Sequence, residues 1–140
     1  MRHLTMWMMG LALMVAPAAA QTSVPKELAA LQGTWVILTA NGQSAEGGPE
    51  ITLTITGDKY NQGVNGEIVE RGTIKVDASK KPMTIDLNIA EGDDAGKLQL
   101  GVIEVNGASM SGNFGAPGST ARPAGLTSAD GAFVFTAKKK

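Results

Sequence analysis

The sequence contains no cysteine, and its single histidine is His3. Without cysteine there is no disulfide framework, no thiolate nucleophile and no Cys-ligated zinc. Removal of the N-terminal segment, argued below, takes the histidine with it and excludes Ser-His-Asp and Cys-His catalysis. Aromatic residues are scarce at 4%, and charged residues make up only 18%. Neither sign dominates: 12 Lys+Arg stand against 13 Asp+Glu, for a formal charge of −1. A nucleic-acid binder would carry a basic stripe, and this chain has none. Its 140 residues suit one domain.

What is present begins with an export signal. Arg2 supplies a positive start, Leu4 to Val15 is an apolar run, and Pro17 breaks it. Ala18-Ala19-Ala20 then offers small residues at the −3 and −1 positions, so cleavage is expected before Gln21. A membrane-spanning helix needs roughly 20 apolar residues, and this run is shorter. No cysteine follows it to carry a lipid. The chain therefore divides into a signal peptide, 1–20, and an exported domain, 21–140. The expected location is periplasmic or extracellular.

Thr22 to Pro25 reads as a helix start, with Ser23 or Val24 at the cap and Glu27 in the first turn. Leu28 and Leu31 make one short apolar stripe, which Gly33 ends. The period then changes to two. Eight segments read as strands: Trp35–Leu38, Ile51–Thr56, Lys59–Gly63, Glu67–Val76, Met83–Ile89, Leu98–Val105, Met110–Phe114 and Phe133–Phe135. Asn65-Gly66 and Asn106-Gly107 are the strongest hairpin signals, and Gly72 suggests a bulge. Alternation points Ile51, Leu53, Ile55, Met83, Ile85, Leu87 and Ile89 inward. Residues 115–131 form a long loop rich in Gly, Ala, Pro and Ser. Lys138 to Lys140 read as a solvated tail. Strands at this regular spacing predict an all-β sandwich or closed barrel with one short N-terminal helix.

Three stretches together carry a resemblance. They are Glu27-Leu28 through Leu31-Gln32-Gly33-Thr34-Trp35, then Gly72 to Asp77 with Ser79 to Leu87, and then Arg122-Pro123 before the last strand. In this order they resemble a family of small exported, largely uncharacterised lipocalin-like domains of planctomycetes and acidobacteria. The resemblance spans roughly residues 25–137. It implies an antiparallel lipocalin-like barrel of about eight strands and an export route. It implies no reaction. Gly33-Thr34-Trp35 is also similar to the Gly-x-Trp signature that opens the first lipocalin strand. There the Trp plugs the closed end beneath a basic side chain, a cation–π contact of about 0.5–2 kcal/mol. The resemblance implies a structural plug of Gly33, Trp35 and a basic partner, Arg122 or Arg71, with Arg122 favoured. An ordinary core role for Trp35 is the alternative. No helix follows the barrel and no cysteine staples it, both departures from the lipocalin pattern.

Other constellations point to little chemistry. Asp86, Glu91, Asp93 and Asp94 are the densest acidic group, but their spacing fits no EF-hand, and a solvated hairpin loop explains them. Glu67 and Glu70 fall on opposite strand faces, a poor catalytic pair, and read as surface charges together with Arg71. Gly112, Gly115 and Gly118 follow a strand, yet no helix follows them to cradle a phosphate. No catalytic residue, metal ligand or cofactor is expected. The leading expectation is a non-enzymatic exported domain that binds a small apolar ligand. The alternative is a structural or protein-interaction module with a filled barrel. No nucleic-acid partner and no stable membrane anchor are expected. The presence or absence of an interior cavity discriminates between the two.

Overall fold

A computed structural model describes residues 26–140. The expected signal peptide and the helix cap at Ser23 or Val24 lie outside the described residues. One helical turn, α1 (Lys26–Ala29), precedes nine strands. These are β1 (Gly33–Ala40), β2 (Gln43–Ser44), β3 (Ile51–Thr56), β4 (Lys59–Val64), β5 (Glu67–Asp77), β6 (Met83–Glu91), β7 (Leu98–Asn106), β8 (Ser109–Phe114) and β9 (Phe133–Lys139). Each strand from β3 to β9 pairs with its sequence neighbour, and β9 pairs back onto β1. The result is a closed antiparallel barrel, with β2 a two-residue flap folded back on β1. Among the described strands, closure leaves only the short β2 flap with an unpaired edge.

The hairpins follow from their turn residues. Asn65 and Gly66 both adopt positive φ, 51° and 82°, as a type I′ turn requires. The turn after β7 differs from its sequence signal. Asn106 stays in the strand opposite Ser109, and the two-residue loop is Gly107-Ala108, with only Gly107 at positive φ.

Alternation decides the interior. Ile55, Ile85, Leu87 and Ile89 are buried as expected, Met83 packs against the core, and Ile51 and Leu53 face the barrel interior higher up. The lower half is filled by Trp35, Ile55, Ile74, Ile85, Ile103 and Met110. Leu28 and Leu31 close this end from below. Gln32 fixes the helix to the barrel: its amide donates to the Gly57 carbonyl (3.0 Å) and accepts from the Gly57 N–H (2.7 Å). That clamp gives the Leu-Gln-Gly-Thr-Trp stretch a structural purpose beyond its tryptophan.

Residues 115–131 begin at one end of the barrel, where Pro117 faces the interior. They form a strap down its outer wall, across β6, β7 and β8. Asn113, completely buried although it faces outward on β8, donates through Nδ2 to the carbonyls of Gly125 (2.9 Å) and Ser128 (3.1 Å). The strap in turn buries Val102, which alternation places on the outside opposite Asn113.

Candidate functional site

At the end away from α1, the barrel interior is not filled. A cavity of about 230 Å³ remains, reaching the rim at Asp94 and Pro117. Its lower walls are Ile37, Leu53 and Leu87, and one side is a ladder of phenyl rings. Phe114 stacks on Phe135 with centroids 5.7 Å apart, and Phe133 stacks on Phe135 at 5.4 Å. Two glycines make room for this ladder. A Cβ on Gly101 would stand 2.3 Å from the Phe114 ring, and one on Gly112 would stand 2.5 Å from Phe135. The rings therefore lie flat on the wall, and the space above them stays open.

Polar groups converge on the same cavity. Tyr60, only 3% exposed, donates its hydroxyl hydrogen to Glu70 Oε2 at 2.9 Å. Burial drives the Tyr60 hydroxyl far above the usual phenol range, and the bond to Glu70 and its charge push the same way. Burial also raises Glu70 above the usual carboxyl range. The Tyr60 bond pulls it down, and the negative charge of Asp94 pushes it up again. Gln62, opposite Glu70 in the sheet, and Gln99 add to the polar lining, with Asp94 at the rim. Gln99 spends its amide N–H on the Gly115 carbonyl (3.0 Å), which ties the start of the strap to the rim.

This placement corrects the reading of Glu70 as a surface charge. Glu70 shares the inward face of Gly72 and Ile74. Gly72 is not the bulged residue; it pairs in register with Tyr60 and Ile89. The extra residues are Val69 on β5 and Ala90 on β6. Glu67 and Arg71 are exposed, and Arg71 pairs with Glu91 at 3.1 Å.

The plug end holds a second correction. Trp35 is fully buried and donates its indole N–H to the Leu31 carbonyl at 2.8 Å. The cation over its ring is neither Arg122 nor Arg71. It is Lys139, whose Nζ lies 5.3 Å from the ring centroid. Lys138 and Lys139 are exposed, as read, but belong to the end of β9 rather than to a tail, and Trp35 pairs directly with Lys139. The Lys139 stem also covers Gly33, where a Cβ would meet its Cε at 3.4 Å.

Arg122 stands on the outer wall because the strap carries it there. Its guanidinium donates to Asp86 Oδ1 (2.6 Å) and to the carbonyls of Ile85 (3.1 Å) and Gly101 (2.9 Å). Asp86 lies on the outward face of β6, so this ion pair staples the strap to the barrel. The acidic series is thereby dispersed: Asp86 to Arg122, Glu91 to Arg71 and Asp94 to Lys97 at 3.0 Å. Among the described residues no cluster of His, Asp or Glu has the geometry to hold a metal ion. No helix among them is long and apolar enough to cross a membrane.

Comparison of the chain with protein-family models, curated proteins and solved structures yields no match.

Proposed function

We propose that the protein is an exported, non-catalytic lipocalin-like domain that holds one small, largely apolar molecule in the upper half of its barrel. The observation that carries this reading is the cavity of about 230 Å³ behind an open rim. It exceeds the ~150 Å³ that accommodates benzene in an engineered core. It falls short of the ~300 Å³ at which pockets for drug-sized molecules begin. The ligand class is therefore a single ring or a short chain. The filled lower half, from Trp35 to Met110, favours the structural reading only for that half.

The test is a titration with ethylbenzene followed by backbone amide NMR shifts. Saturable shifts centred on Leu53, Leu87 and Phe133 are expected, and Leu53→Trp, which fills the space, abolishes them. Absence of saturable shifts in the parent, or unchanged shifts in Leu53→Trp, refutes the reading. Export is tested separately by mass spectrometry of secreted material, which should begin at Gln21, with or without loss of ammonia by cyclisation. An intact Met1 on the secreted chain refutes it.

A further inference from the structure

Glu70 is the one carboxylate that the barrel turns into its own cavity beside a buried phenol. Its Oε2 is satisfied by Tyr60, and among the described residues no cation pairs with it. Arg71, its sequence neighbour, points outward to Glu91. Lys97, the nearest basic residue to the rim by sequence, is held by Asp94. Asp94 itself lines the cavity and adds negative charge to the site. No lysine or arginine is among the lining residues. The cavity is therefore apolar below, acidic above, and walled on one side by stacked phenyl rings.

From this arrangement we infer that the ligand is a small organic cation, an apolar ring or short chain ending in a protonated amine, with Glu70 as its counter-ion. The inference deepens the small-molecule reading above and rests on it. A carboxylate ligand such as a fatty acid would bring like charges together at Glu70 and Asp94 with no basic group to offset them. A neutral ligand would leave Glu70 half-buried without a counter-charge. A protonated amine supplies both a charge-assisted hydrogen bond to Glu70 Oε1 and the opposite charge that a partly desolvated carboxylate lacks. The ring faces of Phe133 and Phe135 attract the same cation. The cavity volume admits a benzene-sized ring with a short side chain, so 2-phenylethylamine is a matched probe.

Three isosteric probes test the inference at neutral pH by calorimetric titration: 2-phenylethylamine, 2-phenylethanol and phenylacetate. The amine is expected to bind about tenfold or more tightly than the alcohol, because only the amine brings the opposite charge to Glu70 along with its hydrogen bond. Phenylacetate is expected to bind more weakly than either. In Glu70→Gln, which keeps the side-chain shape and can still accept from Tyr60, the amine should lose its advantage over the alcohol. Asp94→Asn should reduce the amine preference by a smaller factor. Equal binding of amine and alcohol, or an amine preference that survives Glu70→Gln, overturns the cation assignment and leaves the cavity reading standing. Preference for phenylacetate does the same. Failure of all three probes together with ethylbenzene overturns both.

Discussion

Arg122→Ala is the perturbation whose size the structure determines best. The substitution deletes a 2.6 Å ion pair to Asp86 and two hydrogen bonds to the carbonyls of Ile85 and Gly101. Hydrogen bonds to charged groups contribute about 1.5–3 kcal/mol each when well shielded. Here the Arg122 and Asp86 side chains both remain 29% exposed, so water competes and the contributions shrink. Asp86 and two strand carbonyls must then resolvate through a strap that still covers them in part. The expected net loss is about 2–4 kcal/mol. For a domain of this size that is a fall of roughly 8–15 °C in Tm. Urea unfolding read by Trp35, the only tryptophan in the described residues, measures it directly. The m-value should not change, because the barrel itself persists. Pairing Arg122→Ala with Asp86→Asn in a double-mutant cycle isolates the coupling, which should exceed about 0.5 kcal/mol. Ethylbenzene binding should be unaffected, since Arg122 faces the outer wall. A stability loss under about 0.5 kcal/mol, the range of an ordinary surface change, refutes the staple. Lost binding at unchanged stability moves Arg122 into the ligand site instead.

Ile85, 2% exposed in the filled half, should cost about 2–5 kcal/mol as Ile85→Ala; a loss below about 0.5 kcal/mol in the same unfolding assay would show that the inward register is wrong. Gly112→Val should destabilise by about 1–3 kcal/mol or more, because the Phe135 ring occupies the space its Cβ needs, and near-parent stability would refute the ring-on-glycine packing. Glu70→Gln should change the pH profile of stability with a definite sign. The native state raises the Glu70 pKa, so it binds this proton more readily than the unfolded chain does. That contribution is fully present below the unfolded carboxyl pKa of about 4.3 and is lost as pH rises through the native value. The variant should therefore gain on the parent as pH rises from about 4 to neutrality, and superimposable profiles by thermal unfolding would contradict the desolvated carboxylate.

Most of the barrel was legible because period-two alternation leaves little choice of face. Every expected strand is present, and the Ile51–Ile55 and Met83–Ile89 faces point inward. Glu70 reads as a surface charge because it stands in a charged stretch with Glu67 and Arg71, and charge outweighs alternation there. A glycine carries no side chain to declare its face; Ile74 and Val76 beyond it do, and continuing their alternation back through Gly72 reaches Glu70. Lys139 had an equally plain signal in the run Phe133, Phe135, Ala137, Lys139, but a terminal lysine cluster resembles a solvated tail more than a strand. The strap was legible only as a loop. Its course depends on Asn113 and Asp86 facing outward beneath it, and that pairing across 12 residues to Gly125 and 36 to Arg122 leaves no local pattern.

The seam between β1 and β9 sets the order in which this chain can fold. Thr39 and Thr136 meet across it, hydroxyl to hydroxyl at 2.6 Å, from positions 97 residues apart. Every other strand pairing joins neighbours through a turn, a flap or the strap, and can form locally. The seam requires the first strand to wait for the last, and closing so long a loop costs entropy before any contact offsets it. Folding is accordingly expected on the millisecond-to-second scale of non-local β topologies. Until the final residues are free to reach Trp35, β1 has one unpaired edge and the indole lacks its covering cation. The last lysines thus act as a latch on the lower end of the seam: a chain without residues 138–140 keeps the pairs of Ile37, Thr39 and Ala40 but loses those of Trp35 and Val36 and the cation over the indole.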